Sequence, residues 1–528
     1  PHLPQSATGW MGEKAIRERF FGASRVALGH WYTNKGRQGV PTMDKLNNPS
    51  LFHEKCYING SWCDAKSGEV IRVTNPATDA LLGTVPCCGE EDAALAIEAA
   101  EAARDGWRKT PLQERCRILM RWHDLIEANR EDIARLITLE NGKSLADARG
   151  EITQNNAHVK WCVEEARRLY GATIPSVIPN ARPITWFEPV GTVFAVTPWN
   201  FPMGMILRKA GPALAVGCPI IVKPASATPF AALALAQLAD EAGMPKGVFN
   251  MITGNAGEIA NAACSDFRVR KVTFTGSTEV GKILLENSAK TVKRTSMELG
   301  GNAPAIVFAD ADLDLAVNCI TNIKFRCSGQ TCISVNRILV QRPVYEDFVG
   351  RFMERVAGLR VGNGLDPETN VGPVISHKAV DFLQDLVLDA EEKGATVCLG
   401  GKALPGKGSF FAPTIVRDTT RDMRLFREEI FGPLVGIMPF DTEEEALSLA
   451  NDTRYGLASY FFTRDLGRTF RVMEELQYGM VAINESTLSI AEIPFGGVKE
   501  SGLGREGGRH ALLEYVDEKY AMIGGLGC

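Results

Sequence analysis

Apolar positions along the chain follow two different spacings, and the spacing separates helices from strands. Just after Thr110, apolar residues recur three and four positions apart, which predicts an amphipathic helix. Thr110 followed by Gln113 is the pattern of a capping box, so we expect Pro111 at the first helical position. The apolar positions of this helix are Leu112, Cys116, Leu119, Trp122 and Ile126.

Farther along, short runs of apolar and β-branched residues alternate with Ala-rich segments that are each long enough for one helix. This alternation predicts an α/β fold in which crossover helices join parallel strands. Ligands of such sheets bind beyond the C-terminal ends of the strands. The first set of predicted strands is 192–197, 219–223, 249–253 and 271–275. A second set, which predicts a second α/β domain, is 305–308, 337–341, 435–440, 460–463 and 480–484.

The charge balance excludes several classes of function. The 528 residues include 58 Lys and Arg against 63 Asp and Glu, and the formal net charge of −5 gives no global basic field for holding nucleic acid. No apolar run is long enough for a transmembrane helix, because the stretch 210–222 is short and broken by glycine and proline. We therefore expect neither nucleic acid nor a membrane as a partner.

Thirteen cysteines are scattered through the sequence, and only Cys87 and Cys88 are adjacent. The chain has no Cys-x-x-Cys pair, no His-Glu-x-x-His motif and no histidine at metal-ligand spacing from a cysteine, so we expect no metal site. An odd number of cysteines and the lack of a recognisable signal peptide favour reduced thiols inside the cell. Most of these cysteines are then expected to be small buried hydrophobic residues.

Two glycine motifs suggest nucleotide binding but fail on their context. Gly502, Gly504 and Gly507 spell Gly-x-Gly-x-x-Gly, yet too little chain follows for a βαβ unit. Residues 276–282 come near to a Walker A loop, but the next residue is Ile283 instead of the Ser or Thr that holds Mg²⁺, which argues against a nucleotide hydrolase. This glycine turn still opens a helix, whose N-terminal N–H groups suit a phosphate.

Cys332 and Glu298 are the candidate reactive residues. A nucleophilic cysteine needs thiolate character and access, and the Gly-rich, polar approach to Cys332 suits this better than any other cysteine here, although a lone cysteine is usually structural. Glu298 lies close to two glycines at a strand end, where it is either a partly buried general base or an ordinary strand-end carboxylate. Spacing by itself leaves both interpretations open.

Seven short motifs resemble the aldehyde dehydrogenase superfamily, and the resemblance runs in order over nearly the whole chain, from about Tyr57 to Gly525. They are 197–202 (TPWNFP), 223–226 (KPAS), 274–277 (FTGS), 297–301 (MELGG), 325–332 (FRCSGQTC), 429–433 (EIFGP) and 494–497 (PFGG). The resemblance implies a Rossmann-type parallel-sheet cofactor domain, an α/β catalytic domain and a β arm that pairs subunits into a homodimer or homotetramer. The implied NAD(P)-binding domain is 56–170 with 190–300, the catalytic domain is 301–508, and the oligomerisation arm is 171–189 with 509–528.

The resemblance also implies roles for single residues. Cys332 is the nucleophile, Glu298 is the base, and Asn200 forms the oxyanion hole with the N–H of Cys332. Thiolate attack gives an oxyanion, loss of hydride to the nicotinamide leaves a thioester, and water deprotonated by Glu298 releases the acid. These three residues argue against a non-catalytic structural member of the superfamily. The implied cofactor-binding residues are Thr197, Trp199, Lys223, Ala225, Ser226, Gly276, Ser277, Leu299 and Glu429.

Within the superfamily the sequence looks most like the succinate-semialdehyde dehydrogenases, a likeness carried by 207–209, 324–326 and 501–507. In that family the arginines matching Arg208 and Arg326, with a serine near Ser489, bind the distal carboxylate, a role that suits an arginine fork. Spacing by itself would make both arginines surface or structural residues. The less typical stretch 485–493 keeps glutarate semialdehyde and 2-oxoglutarate semialdehyde open as substrates.

Two further departures from the superfamily concern the cofactor and redox control. A glutamate in place of Ser226 would repel a 2′-phosphate, so serine together with the charge of Lys223 predicts a preference for NADP⁺, with NAD⁺ also accepted. The thiol that some members carry two residues after the nucleophile is Ser334 here. Cys327 is interpreted as core packing, and a disulfide with Cys332 is the alternative.

Residues 1–55 differ from the rest of the chain, since they are rich in Pro, Gly and Asn, locally basic and without clear periodicity. We interpret them as a family-specific extension of unknown role, and a remnant of an organelle-targeting segment is the alternative. The expected compartment is the cytoplasm, or the mitochondrial matrix if the segment is a targeting remnant.

Overall fold

Two β-sheets covered by helices organise the protein, seen here in a computed structural model that describes residues 45–526. The α/β fold class predicted from the sequence is confirmed, and each predicted strand is present with its ends shifted by at most two residues. Two smaller sheets complete the structure. Of the segment 1–55, residues 1–44 lie outside the described part, whereas Leu46 and Leu51 are already buried in the first core.

The strands are β1 (Cys56–Ile58), β2 (Ser61–Cys63), β3 (Val70–Thr74), β4 (Leu81–Pro86), β5 (Ala172–Thr173), β6 (Arg182–Pro189), β7 (Thr192–Val196), β8 (Ile220–Lys223), β9 (Phe249–Met251), β10 (Val269–Thr275), β11 (Arg294–Glu298), β12 (Ala303–Val307), β13 (Val335–Gln341), β14 (Thr396–Leu399), β15 (Thr414–Arg417), β16 (Leu434–Phe440), β17 (Ala458–Phe462), β18 (Met480–Ile483), β19 (Gly502–Leu503) and β20 (Val516–Ile523).

The α-helices are α1 (Glu90–Lys109), α2 (Leu112–Ala128), α3 (Arg130–Asn141), α4 (Leu145–Ala166), α5 (Gly204–Val216), α6 (Phe230–Glu241), α7 (Ala256–Ser265), α8 (Thr278–Ala289), α9 (Leu313–Phe325), α10 (Tyr345–Ala357), α11 (His377–Glu392), α12 (Arg424–Arg427), α13 (Glu443–Asn451), α14 (Leu466–Glu475) and α15 (His510–Leu513). None of the helices within residues 45–526 is both long and apolar enough to cross a membrane.

The first sheet has the strand order β19-β11-β10-β7-β8-β9-β1-β2, and its strands from β9 to β11 run parallel. The chain moves from β7 to β8 and β9 on one side, then returns to β10 and β11 on the other. This reversal makes the C-terminal ends of β7 and β10 a topological switch point, where α/β sheets bind their ligands. The motifs at 197–200 and 276–277 follow these two strands directly.

The second sheet has the order β14-β15-β16-β13-β12-β17-β18, and only its edge strand β14 is antiparallel to its neighbour. Its central strands are almost entirely buried, as expected for β-branched and aromatic runs covered by helices on both faces. The glycine motif at 502–507 belongs to no βαβ unit, because Gly502 and Leu503 form β19, which pairs antiparallel with β11.

A three-stranded sheet joins two distant chain segments in the order β20-β6-β5. All eight residues of β20 pair with β6, from Val516 opposite Pro189 to Ile523 opposite Arg182. The short helix α15 just before β20 packs against α5 and α4, so this end of the chain is attached to the first core before it enters the third sheet.

The predicted capping box at Thr110 is wrong. Helix α2 begins at Leu112, and its N-cap residue Pro111 makes no side-chain capping bond. The hydroxyl of Thr110 instead donates to the carbonyl oxygen of Gly106 at 2.9 Å. Because α1 continues to Lys109, Thr110 ends that helix and its side chain is used there.

Candidate active site

A cavity of about 370 Å³ opens at the switch point of the first sheet and is closed from the other side by residues of the second. It is lined mostly by loops that follow β7, β10 and β11 and by the turn before β13. The predicted site residues that line it are Trp199, Asn200, Arg208, Gly276, Ser277, Glu298, Leu299, Arg326, Cys332, Glu429 and Ser489. Four predicted cofactor residues, Thr197, Lys223, Ala225 and Ser226, are not part of its lining.

Cys332 lies in the turn that leads into β13 and is half-buried in the cavity wall. Its backbone packs tightly on Gly301, since a Cβ on that glycine would lie 2.2 Å from the carbonyl oxygen of Cys332. Burial raises the pKa of the Cys332 thiol to about 12, and the charges of Glu429 and Glu298 act in the same direction. Thiolate character at this position is therefore not favoured in the structure, which differs from the environment that we expected for a nucleophile.

Asn200 follows β7 and is buried. Its amide nitrogen Nδ2 donates to the carbonyl oxygen of Gln330 at 2.9 Å, which links the loop after β7 to the turn that carries Cys332. Its backbone carbonyl accepts a bond of 2.5 Å from Nζ of Lys143. An amide nitrogen has two N–H groups, so one remains for a ligand in the cavity.

Glu298 ends β11 and is 4% exposed. Burial raises the pKa of its carboxyl well above the usual value, and the nearby charge of Glu506 raises it further. The Oε2 atom of Glu298 has no hydrogen-bond partner among the described residues. A buried carboxyl with a raised pKa that lines a cavity is suited to acid–base work.

Glu506 and Lys209 are two site residues that sequence reasoning did not select. Nζ of Lys209 donates to Glu506 Oε1 at 2.6 Å, and both side chains are almost completely buried. Burial raises the pKa of Glu506, but the charges of Lys209 and Arg208 outweigh burial and hold this pKa below its usual range. Lys209 lies in the segment 207–209 and Glu506 in the segment 501–507. No sequence pattern within a few positions connects residues that are 297 positions apart.

The two predicted substrate arginines both line the cavity. Arg208 has 1% of its side chain exposed, and its Nη2 donates to Oγ of Ser489 at 2.5 Å, so the surface interpretation of this residue is wrong. Two consecutive amides of α4 hold the guanidinium groups. Asn155 Oδ1 accepts from Nε of Arg208 at 3.0 Å, and Gln154 Oε1 accepts from Nη2 of Arg326 at 2.7 Å. These amides were not selected from the sequence.

Seven of the nine predicted cofactor residues lie at or just after the ends of β7, β8 and β10, whereas Leu299 follows β11 and Glu429 precedes β16. Burial lowers the pKa of Lys223, at the end of β8, to about 8, and no described residue forms a hydrogen bond or ion pair with its ammonium. The buried hydroxyls of Thr197 and Thr275 also have no hydrogen-bond partner in the described part of the chain. Ser277 caps the N-terminus of α8. These unpaired donors beside a helix N-terminus fit the hydroxyl and phosphate groups of a dinucleotide.

Glu429 and Trp199 line the same cavity as Cys332. Glu429 Oε1 accepts from the backbone N–H of Gly301 at 2.9 Å, and burial raises the pKa of this carboxyl to about 7. The other oxygen faces Gly300, where a Cβ would lie 2.8 Å away. Glu429 contacts Gly300 and the Cys332 backbone packs on Gly301, so only the backbone of these two glycines lies between the two residues.

Cys327 and Ser334 flank the turn of Cys332. Cys327 is 1% exposed, burial raises the pKa of its thiol to about 11, and its backbone N–H donates to Asp147 at 3.0 Å. The hydroxyl of Ser334 is buried and has no partner within residues 45–526. The burial of Cys327 agrees with its interpretation as a packing residue.

Comparisons with known proteins support the motif-based resemblance. The model of the Aldehyde dehydrogenase family matches residues 62–521. Glutarate-semialdehyde dehydrogenase of Pseudomonas aeruginosa is 48% identical over 482 residues, which cover 91% of this chain and 100% of that protein. The succinate-semialdehyde dehydrogenase GabD of Escherichia coli, whose name specifies NADP(+), is 49% identical over 480 residues, with 91% and 100% covered.

Among solved structures, that of an NADP-dependent enzyme of Escherichia coli matches with a TM-score of 0.90 and 49% sequence identity. The match covers 91% of this chain and 100% of the other. This similarity confirms the fold that the motifs implied.

Proposed function

The chain belongs to the aldehyde dehydrogenase family, and on this premise we propose that it oxidises succinate semialdehyde to succinate, with NADP⁺ preferred and NAD⁺ also accepted. The observation that carries the proposal is the pair of arginines, Arg208 and Arg326, in the wall of the cavity that contains Cys332. A guanidinium pair suits a carboxylate at the far end of an aldehyde substrate.

Cys332 is proposed as the nucleophile. Its sulfur forms a bond to the aldehyde carbon, and the carbonyl oxygen becomes an oxyanion that the Nδ2 group of Asn200 and the backbone N–H of Cys332 stabilise. Loss of one such donor costs about 10²–10³ in rate. The free thiol is a poor nucleophile at a pKa of about 12, so its proton must pass to solvent before the sulfur attacks.

When bound, the nicotinamide supplies the hydride acceptor for this oxidation. Cys332 then holds the acyl group as a thioester. Glu298 takes a proton from a water molecule that attacks this thioester, and succinate leaves as the Cys332 thiol is restored. The charge of the ion-paired Glu506 raises the pKa of Glu298, so Glu298 must release its proton to solvent before it can accept one from this water.

The residues proposed to hold the cofactor are those at the ends of β7, β8 and β10, with Glu429 on the nicotinamide ribose. Lys223 and Ser226 are proposed to contact the adenosine ribose. Ser226 carries no negative charge, and the ammonium of Lys223 is unpaired among the described residues, so a 2′-phosphate meets attraction without repulsion.

Glutarate semialdehyde is the second candidate substrate. The observation that favours it is the relative of this name, which is as similar to the chain as the succinate-semialdehyde dehydrogenase. The two substrates differ by one methylene group, and a hydrophobic contact with one methylene discriminates by only about 1–3 kcal/mol. Comparison of kcat/KM for the two semialdehydes decides between them.

The test of the proposal is the formation of NADPH, followed by its absorbance, with succinate semialdehyde as substrate. We expect activity from the wild type and none from Cys332→Ala, while Cys398→Ala, a half-buried cysteine outside the cavity, keeps wild-type activity. No NADPH or NADH from the wild type with any of several aldehydes would overturn the proposal.

Arg326→Met tests the carboxylate site. Loss of a charge-assisted hydrogen bond of about 1.5–3 kcal/mol is expected to raise KM for succinate semialdehyde by about 10- to 100-fold. KM for butanal, which has no carboxylate, is expected to stay within about threefold. Arg360→Met removes an exposed arginine outside the cavity and serves as the control. Equal effects on both aldehydes would contradict the role of Arg326.

The protein is also proposed to work as a homodimer or homotetramer. The three-stranded sheet exposes Tyr520 and Met522 on one face of its edge strand β20, and Ile174, just after β5, is exposed as well. Such apolar groups are suited to a contact between copies of the chain.

The cytoplasm is the proposed compartment, since the twelve cysteines of the described part are free thiols.

A further inference from the structure

Lys143 and Glu151 form an ion pair in the interior next to the proposed oxyanion hole. Nζ of Lys143 lies 2.7 Å from Oε2 of Glu151, and neither side chain has any exposed surface. Burial lowers the pKa of Lys143, but Cys327 and Glu151 together outweigh burial, so the pKa lies above its usual value and the ammonium keeps its charge.

The short segment that follows α3 directs this lysine inward. Gly142 ends the helix in the left-handed region, with φ of 92°, which turns the chain at that point. On either side of this turn, two side chains donate to two successive backbone carbonyls of the loop after β7. Nδ2 of Asn141 donates to the carbonyl of Trp199 at 3.0 Å, and Nζ of Lys143 donates to that of Asn200 at 2.5 Å.

Glu151 connects the same lysine to the helix that carries Arg208. Its Oε1 accepts from the backbone N–H groups of Met203 and Gly204 at 3.1 and 3.0 Å, which satisfies the N-terminus of α5. Lys143 thus holds the loop that contains Asn200 through its backbone carbonyl. Glu151 holds the end of this loop, where α5 begins.

Stability does not account for this buried pair. Taking two charges out of water costs several kcal/mol per ion, and well-packed apolar residues in place of a buried ion pair are often neutral or stabilising. The pair is joined directly to the backbone carbonyl of Asn200. The side chain of Asn200 makes one described hydrogen bond, from Nδ2 to the carbonyl oxygen of Gln330. The pair therefore holds the backbone segment from which the Asn200 side chain extends.

We propose that Lys143 and Glu151 are positioning residues that hold the Nδ2 group of Asn200 where the oxyanion develops. This inference rests on the proposed aldehyde oxidation. It assigns neither residue a contact with substrate or cofactor, because neither lines the cavity. Both act through Asn200.

The test compares Lys143→Met, the double variant Lys143→Met/Glu151→Gln, and Lys143→Met in an Asn200→Ala background. The double variant removes both charges, and the introduced glutamine amide still offers an oxygen to the N-terminus of α5, so it keeps the test decisive if the single variant fails to fold. The control is Lys293→Met, since Nζ of Lys293 also donates to two backbone carbonyls, those of Asp266 and Val269, away from the cavity.

We expect the single and double variants to lower kcat with succinate semialdehyde and NADP⁺ by about tenfold or more, and Asn200→Ala to lower it by about 10²–10³. In the Asn200→Ala background, Lys143→Met is expected to add less than about threefold, because residues that act as a unit are not additive. KM for NADP⁺ and the rate of Cys332 alkylation by iodoacetamide are expected to stay within about twofold, since alkylation forms no oxyanion.

Wild-type kcat in the double variant would overturn the inference, and so would an equal loss of kcat from Lys143→Met in the wild-type and Asn200→Ala backgrounds. A parallel loss of kcat in Lys293→Met would also overturn it, because any buried lysine would then have the same effect. In all these outcomes the wild type is active, whereas an inactive wild type would overturn the proposed function itself.

Discussion

At the scale of single residues, burial opposes the ionisation of both the proposed nucleophile and the proposed base. Burial raises the pKa of Cys332 to about 12 and raises the pKa of Glu298 well above its usual value. Each carboxylate that surrounds the thiol opposes its ionisation, and Arg208 acts in the other direction. In the cofactor-free protein the proposed nucleophile, Cys332, is therefore an unreactive thiol.

The raised pKa of the Cys332 thiol predicts the pH dependence of its alkylation. Because only the thiolate reacts and its pKa is raised, the thiolate fraction below that pKa grows about tenfold for each pH unit. We expect the rate of iodoacetamide inactivation of the cofactor-free enzyme to rise in this way from pH 7 to 10 without a plateau. Cys332→Ser is the control for labelling elsewhere. A plateau below pH 8 would contradict the raised pKa.

The substitution Ser226→Glu is expected to change the preference for NADP⁺ over NAD⁺. A carboxylate at this position accepts hydrogen bonds from ribose hydroxyls and repels a 2′-phosphate. We expect kcat/KM for NADP⁺ to fall by about tenfold or more, while the value for NAD⁺ is kept or improved. Ala227→Glu, at the exposed neighbouring residue, is the matched control. An unchanged preference would show that Ser226 does not face the adenosine ribose.

At the scale of elements, the packing of α4 against α5 places the two arginines proposed to bind the substrate. The amide of Asn155 fits between the helices because residue 204 has no side chain, and a Cβ there would lie 2.6 Å from Cγ of Asn155. The same amide accepts from Nε of Arg208. A residue without a side chain on α5 therefore sets the position of a guanidinium one turn farther along the helix.

Gly204→Ala tests this coupling. The added methyl displaces the Asn155 amide, and overpacking of this kind costs about 1–3 kcal/mol. We expect KM for succinate semialdehyde to rise by about threefold or more, with little change in KM for butanal. Gly150→Ala in α4 is the control, because its Cβ meets nothing within 4 Å, and alanine there stabilises the helix by about 1 kcal/mol. A similar rise of KM in both variants would exclude a specific contact.

At the scale of the whole molecule, the three-stranded sheet pairs with neither of the two large sheets. Its strands come from residues 172–189 and 516–523, and they pair only with each other. Tyr520 is 72% exposed and Met522 is 47% exposed. Because these residues are two apart on β20, their side chains share a face that a second copy of the chain can cover.

The double variant Tyr520→Asp/Met522→Asp is expected to sediment as a monomer under conditions in which the wild type sediments as a dimer or tetramer. Two buried charges in an apolar contact without partners oppose association. Phe267→Asp is the matched control, since Phe267 is an equally exposed aromatic residue outside this sheet. A monomeric wild type in sedimentation velocity would rule out the proposed assembly.

The sequence by itself determined the local structure and the ordered motifs. The β-branched runs between residues 192 and 483 predicted four strands of the first sheet (β7 to β10) and five of the second (β12, β13, β16, β17 and β18), because alternation and helical spacing are set by neighbours within a few positions. The motifs around Cys332, Glu298 and Asn200 led to one family and one cavity. Thr110 was misplaced, because a capping pattern does not show where the preceding helix ends.

Only the tertiary structure decided which distant residues meet. Lys209 and Glu506 are 297 positions apart, and Lys143 reaches a carbonyl 57 positions away. No periodicity records such a contact, since it depends on how the sheets and helices pack against each other. The raised pKa values of Cys332 and Glu298 have the same origin, because burial and the charges across a cavity exist only once the chain has folded.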